Sequence, residues 1–161
     1  MTLDQLLNAV TAAMADVEGF DVTAEQAKAR GIAFPTRPQR LLNPGDVRHW
    51  MHDGVHYPEQ NGYVDFLAWA LDVAKSAQPQ IDGLAEGWRV VRTLASQYIA
   101  GHYTTAKQPN LIQMFAAYAP AADGNNPGSY TRVVAAKVGI SADAPLAVSY
   151  THLTLPTKRI V

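Results

Sequence analysis

The stretch Thr2–Gly19, TLDQLLNAVTAAMADVEG, decides how the rest of the chain is read. Leu3, Leu6, Leu7, Val10, Ala13, Met14 and Val17 recur at spacings of three and four, which lines them up on one stripe of an α-helix and turns Asp16 to the opposite, solvated side. Thr2 with Gln5 three residues on is a capping-box start, and Gly19 marks the end. Glu18 falls about 80° from the centre of the apolar stripe, at its edge. A carboxylate is thus expected half against a core, in a last helical turn. There the negative end of the helix dipole and partial loss of water both disfavour ionisation. A general acid working near neutral pH needs that property. Geometry alone also admits a plainer reading, a surface glutamate ahead of a glycine cap.

Outward from this helix, Thr23 and Gln26 repeat the capping pattern and predict a short helix over Ala24–Ala29, stopped by Gly31. Between Phe34 and Pro58 the breakers Pro35, Pro38, Pro44, Gly45, Gly54 and Pro58 leave room for turns, short extended pieces such as Asp46–Met51, and a hairpin. Helical periodicity returns at Phe66, Trp69, Ala70 and Val73 and stops before Pro79. A longer pattern follows at Leu84, Trp88, Val91, Leu94, Tyr98 and Ile99, between the cap Asp82 and Gly101; this helix is expected at the centre of the core. Leu111, Met114, Phe115 and Tyr118 form the next, between Asn110 and Pro120. Tyr130, Val133, Val134 and Val138 form the last, between Ser129 and Gly139. The expected fold class is mainly α (α+β), a helical domain with a small loop and β lobe and a strand near Gly62–Val64. Asn-Pro-Gly occurs at 43–45 and 126–128 with unrelated flanks, so turn chemistry explains it without an internal repeat.

A chain of 161 residues suits one compact domain. Thirteen Lys and Arg against fourteen Asp and Glu, without blocks, give no electrostatic footprint for a nucleic acid or an anionic membrane. No apolar run approaches the roughly 18 residues that span a bilayer, and the first residues lack the layout of a secretory signal. The absence of cysteine excludes disulfides, thiolate zinc sites and cysteine nucleophiles. No phosphate-cradling glycine loop and no Gly-x-Ser-x-Gly elbow is present, so nucleotide binding and serine hydrolysis have no support.

Four segments carry a resemblance. AMADVEGF (13–20), RPQRLLNPGDVRHW (37–50), GLAEGWRVVRTLASQYIAGHYTT (83–105) and MFAAYAPAADGNNPGSYTRVVAAKVGI (114–140) together resemble a phage-type family of lysozyme-like peptidoglycan hydrolases. That family shows a helix ending in Glu-Gly, an Arg-Asn-Asn-Asn-Pro-Gly-Asn segment, an Ala-Gly-Trp helix, Tyr-Ala-Pro followed by Glu-Asn-Asn, and a closing helix ending in Gly-Ile or Gly-Val. The order and spacing match over most of residues 10 to 140.

The resemblance implies a muramidase or lytic transglycosylase that cuts glycan strands of peptidoglycan, with Glu18 as catalytic acid and no metal or organic cofactor. Arg40 and Asn43-Pro44-Gly45 match the loop opposite that glutamate, in the small lobe that helps line the saccharide cleft; Tyr118, Asn125 and Asn126 match the far wall. Leu41 and Leu42 stand where two asparagines are usual, Asp46 where the motif's last asparagine is, and Asp123-Gly124 where glutamate is usual; Asp65–Gln80 is longer than the family's strand and turn. A second carboxylate is sought at Asp46 or Asp65, about 5 Å from Glu18 for retention or about 6.5–9.5 Å for inversion. An Asp after an Asn-Pro-Gly turn also suits local backbone bonding.

Among the aromatics, Trp50 and Tyr57 in the breaker-rich lobe are candidate sugar platforms, with Tyr63 and Tyr118 beside them, whereas Trp69 and Trp88 fall on core periodicity. His49, His52 and His56, with Asp53 among them, raise a competing reading, a zinc-dependent peptidoglycan amidase. A third is a non-catalytic virion structural or wall-binding protein. The expected setting is a phage virion, or a host cytoplasm with holin-dependent release, as a monomer or as part of a virion. Residues 148–161, VSYTHLTLPTKRIV, look like translated sequencing-adapter read-through, so the catalytic domain is expected over 1–147 and the remainder is read as a non-native or disordered tail.

Overall fold

The structure is a computed structural model that describes residues 1–52, 54–74 and 82–150. Asp53, part of the segment after Ala74 and the tail beyond Tyr150, on which some sequence expectations fall, lie outside the described residues. The chain is mainly helical. In order it runs α1 (Leu3–Val17), α2 (Ala24–Arg30), α3 (Arg37–Arg40), the short strands β1 (Met51–His52), β2 (Val55–His56), β3 (Glu59–Gln60) and β4 (Tyr63–Val64), then α4 (Phe66–Ala74), α5 (Gly83–Ile99), α6 (Leu111–Tyr118) and α7 (Pro127–Val138). Single 3-10 turns lie at Ala121–Asp123 and Leu146–Val148. Among the described residues, no helix is long and apolar enough to cross a membrane.

The caps fall where side-chain chemistry dictates. Thr2 and Gln5 exchange bonds of 2.8 and 3.1 Å, Thr23 and Gln26 bonds of 3.0 and 3.2 Å, and Asn110 and Gln113 bonds of 3.0 and 2.9 Å. Two elements depart from expectation. The segment of many breakers contains α3, because Thr36 and Gln39 form a further capping box and Pro38 occupies the first turn, where its missing N–H costs nothing. Helix α7 starts at Pro127, with Asn126 rather than Ser129 as its cap, for the same reason. The lobe holds two antiparallel hairpins, β1 with β2 (Met51 opposite His56) and β3 with β4 (Glu59 opposite Val64). Asn61 and Gly62, both at positive φ, turn the second, the backbone a two-residue hairpin requires.

Two compact units make up the chain: Val10–Ser96, and Met1–Ala9 with Gln97–Val161. In Val10–Ser96, the buried residues Val47, Tyr57, Val64, Phe66 and Val90 form a core against which Leu42, Trp50, Trp69 and Leu94 pack. Gly83 and Gly87, four apart on one face of α5, let backbone meet backbone. A Cβ at Gly83 would stand 2.6 Å from the Phe66 carbonyl oxygen, and one at Gly87 would collide with the Leu42 carbonyl. In the other unit the core is aromatic: the Phe115 and Tyr130 rings stack at 4.4 Å, with Tyr118 set edge-on at about 6 Å to both. Leu6, Ile99, Leu111, Met114, Val134 and Leu146 are buried there too.

Candidate functional site

Glu18 is the C-cap of α1. Gly19, at φ 81°, donates to the Asp16 carbonyl at 3.1 Å while Phe20 donates to the Ala15 carbonyl at 2.8 Å; this paired closure ends the helix and leaves Glu18 half-buried at its last turn. The chain then returns onto this corner. The Thr36 hydroxyl donates to the Gly19 carbonyl at 2.9 Å, and the Gln39 amide donates to the Phe20 and Val22 carbonyls, each at 2.8 Å. Two residues of the α3 capping box thereby clasp the backbone just after Glu18.

This clasp carries Arg37 and Asp46 into the same place. The Arg37 guanidinium forms a two-pronged ion pair with Asp46, Nε to Oδ1 at 3.0 Å and Nη2 to Oδ2, and the Asp46 side chain is only 7% exposed. The guanidinium carbon lies 3.5 Å above the Tyr63 ring, and that of Arg48 lies 5.5 Å from the same ring. Its pKa is raised, first by the hydrogen bond to Asp46 against the opposing cost of burial, then by the charges of Asp46, Tyr63 and Glu18. Glu18, Arg37, Asp46 and Tyr63 thus share one electrostatic neighbourhood, assembled from the end of α1, the start of α3, the turn after it and β4.

Asn43 organises the turn. It is wholly buried; its Oδ1 accepts from the Val47 amide at 2.8 Å and its amide donates to the Val47 and Val64 carbonyls at 2.9 and 3.0 Å. The Asp46 amide closes the Asn43-Pro44-Gly45-Asp46 turn onto the Asn43 carbonyl at 3.0 Å. Leu42 (φ 52°) and Asp46 (φ 47°) flank it in the left-handed region, a strained conformation for side-chain-bearing residues that the surrounding bonds hold in place.

Several expected substrate contacts take other roles. Asn43 has no atom at the surface, because its amide is spent on three backbone bonds, so it shapes the loop instead of touching a ligand. Tyr57 is 8% exposed: its ring packs against Phe66 and Trp69, and its hydroxyl donates to Glu86 at 2.7 Å, with Arg89 bound to the same carboxylate at 2.8 Å. It is a core residue, not a sugar platform. Trp50 packs on the same core with its indole N–H buried and without a partner. Arg40 is exposed and donates to the Pro35 carbonyl at 2.8 Å. Asp65 accepts the Ala68 amide at 2.8 Å, as the cap of α4. Asp46 binds Arg37 rather than local backbone.

Tyr118 and Asn126 belong to the other unit, where Tyr118 joins the aromatic cluster and Asn126 caps α7 through the Ser129 amide at 2.9 Å. An apolar cavity of about 470 Å³ lies between α6 and α7, lined by Ile112, Ala116, Thr131, Arg132 and Ala135 among others; no expected site residue lines it. Of the histidines, His49 is exposed and meets Glu59 at 2.7 Å through Nδ1. Among the described residues, no group of three His, Asp or Glu side chains is placed to hold a metal ion.

Sequence reasoning missed Arg37 as a charge within electrostatic reach of Glu18, and Tyr63 as the ring beneath that charge. The capping pair Thr36 and Gln39 was the available signal, since it fixes where the first turn of α3 points its arginine. A scan against protein-family models, a search of curated proteins and a search of solved structures each return no match.

Proposed function

We propose that this chain is a lysozyme-like, phage-type muralytic enzyme that cleaves the β-1,4 bond between N-acetylmuramic acid and N-acetylglucosamine in peptidoglycan glycan strands, with Glu18 as its acid and base. The observation that carries the reading is the corner itself. A half-buried glutamate ending a helix is clasped to a loop 18 to 28 residues downstream, which brings a rigid Arg37–Asp46 pair into its electrostatic reach.

Glu18 gives its proton to the glycosidic oxygen as the bond to the muramyl anomeric carbon breaks, and the bonding pair leaves with that oxygen. The carboxylate so formed takes a proton from the nucleophile that closes the cycle. Both candidate second carboxylates are already engaged, Asp46 through two oxygens and Asp65 through its capping bond. That favours the route in which the muramyl 6-hydroxyl attacks the anomeric carbon intramolecularly and leaves an anhydro end. On this reading no metal or organic cofactor takes part. The protein acts as an endolysin or as a virion component that opens the wall.

The test is turbidity clearing of purified peptidoglycan, with mass spectrometry of the digest. Wild type is expected to release anhydromuramyl ends, and Glu18→Gln is expected to fold normally and clear nothing. New reducing ends would instead assign hydrolysis. Free amino groups without new sugar ends would assign an amidase. Equal inactivity of wild type and Glu18→Gln would leave a wall-binding or virion structural protein.

A further inference from the structure

We infer that Arg37 is the positioning residue of this corner, a cation whose charge governs how firmly Glu18 holds its proton. The inference rests on the glycosidase reading for its consequence in catalysis, but the coupling between the two side chains is measurable without activity.

Four contacts make the case. Thr36, the residue before Arg37, is bonded to the carbonyl of Gly19, the residue after Glu18, so the two backbones are tied one residue away from each side chain. Asp46 grips the guanidinium through both of its oxygens and is itself almost buried. Tyr63 supports the guanidinium from the side at 3.5 Å. Asp46 is fixed in turn by the Asn43 turn, whose hydrogen bonds reach Val47 and Val64. The guanidinium is thus gripped along one edge by Asp46 and covered on one face by Tyr63, while the rest of the side chain stays exposed. An Arg can occupy such a fork and a Lys cannot, because an ammonium is a point charge without a planar pair of donors.

The charged and titratable groups around Arg37 are Asp46, Glu18 and Tyr63, with Arg48 beyond the tyrosine ring. Arg37 therefore divides its field between two carboxylates. Removing the cation makes the Glu18 proton harder to lose. Removing the Asp46 charge makes it easier, because Glu18 then has the guanidinium to itself and one anion fewer nearby. Opposite displacements from two substitutions on one ion pair are not what a purely structural pair would give.

The experiment is a ¹³C NMR titration of the side-chain carboxyls, with the Glu18 signal identified by its loss in Glu18→Gln, and folding of each variant checked by circular dichroism. Arg37→Gln is expected to move the Glu18 midpoint to higher pH, Asp46→Asn to lower pH, and Arg37→Lys to leave it near wild type. In peptidoglycan clearing, Arg37→Lys is expected to lower the maximal rate about tenfold at an unchanged half-saturating substrate concentration. Arg37→Gln is expected to carry the alkaline limb of activity upward with the midpoint. If Arg37→Gln does not fold, the downward movement in Asp46→Asn and the rate loss in Arg37→Lys decide the matter. A Glu18 midpoint indifferent to the folded variants, or wild-type clearing by Arg37→Lys, overturns the inference. Midpoints that move as stated in the variants of a wild type that clears no peptidoglycan overturn the glycosidase reading and leave the coupling intact.

Discussion

Residues 10–96 and residues 97–150 close helices over a core with different side chains. In the first, polar groups sit at the keystones: a buried Asn43 that bonds three backbone atoms, an Arg37–Asp46 pair against Tyr63, and a Tyr57–Glu86–Arg89 group at the edge of the apolar cluster. In the second, Phe115, Tyr118 and Tyr130 pack ring against ring, and the cavity between α6 and α7 is lined mostly by apolar side chains. The first arrangement spends hydrogen bonds to hold loops at fixed angles; the second spends volume to hold helices together. Fixed loops are what a catalytic corner needs, since misplaced groups lose rate quickly. The candidate chemistry accordingly lies in the polar-keyed part.

The largest stability effect should come from the aromatic part. Phe115→Ala empties the centre of the ring cluster and is expected to cost about 4 kcal/mol in urea unfolding, through lost burial and a cavity that cannot collapse. Phe115→Leu keeps much of the volume and should recover more than half of that loss. Equal losses in the two variants would show that ring packing does not set stability there.

Asn43 offers the converse measurement. Asn43→Ala is expected to cost about 3 kcal/mol, because the Val64 carbonyl and the Val47 amide lose their buried partner and the Val47 carbonyl keeps only its bond from the Val64 amide. Asn43→Leu fills the same space and should recover nothing, since volume is not what Asn43 supplies. Both variants should also slow peptidoglycan clearing, because the turn that holds Asp46 against Arg37 loses its anchor. A stable Asn43→Leu protein would remove the distinction between the two parts of the molecule.

The contrast also explains what could be read from the sequence. Helices α1, α5 and α6 were legible because each couples an apolar stripe to a local cap, and α2 because Thr23, Gln26 and Gly31 mark both of its ends; all these signals lie within a few residues of the element they describe. The start of α7 was hidden because Asn126-Pro127-Gly128 reads equally well as a turn, and only the packing of α7 selects the helix. Helix α3 was hidden among prolines, although its capping pair Thr36 and Gln39 was there to be read. At the site, Glu18 was legible from its place on the helix, and Asp46 from its turn. Arg37 was not, because its partners lie 9 and 26 residues away in Asp46 and Tyr63, and nothing periodic connects them. Tyr57 was misread because a tyrosine in a loop-rich lobe gives no local sign that its hydroxyl will be captured by Glu86, 29 residues on.

That hydroxyl gives the smallest effect and a sign that can be checked. Burial, and then the hydrogen bond to Glu86, push the Tyr57 phenol above its ordinary range. The fold thus favours the protonated phenol. Its stabilising contribution is complete below the unfolded value near pH 10 and is lost as pH rises through the raised folded value. Tyr57→Phe keeps the ring against Phe66 and Trp69 but gives up one bond to a carboxylate, so it is expected to cost about 1.5 kcal/mol near neutral pH. As pH climbs above about 10, wild type should weaken while the variant is spared this one loss, and the gap between their urea midpoints should narrow. A gap that stays constant from neutral to alkaline pH would mean that the phenol does not hold its proton through the fold.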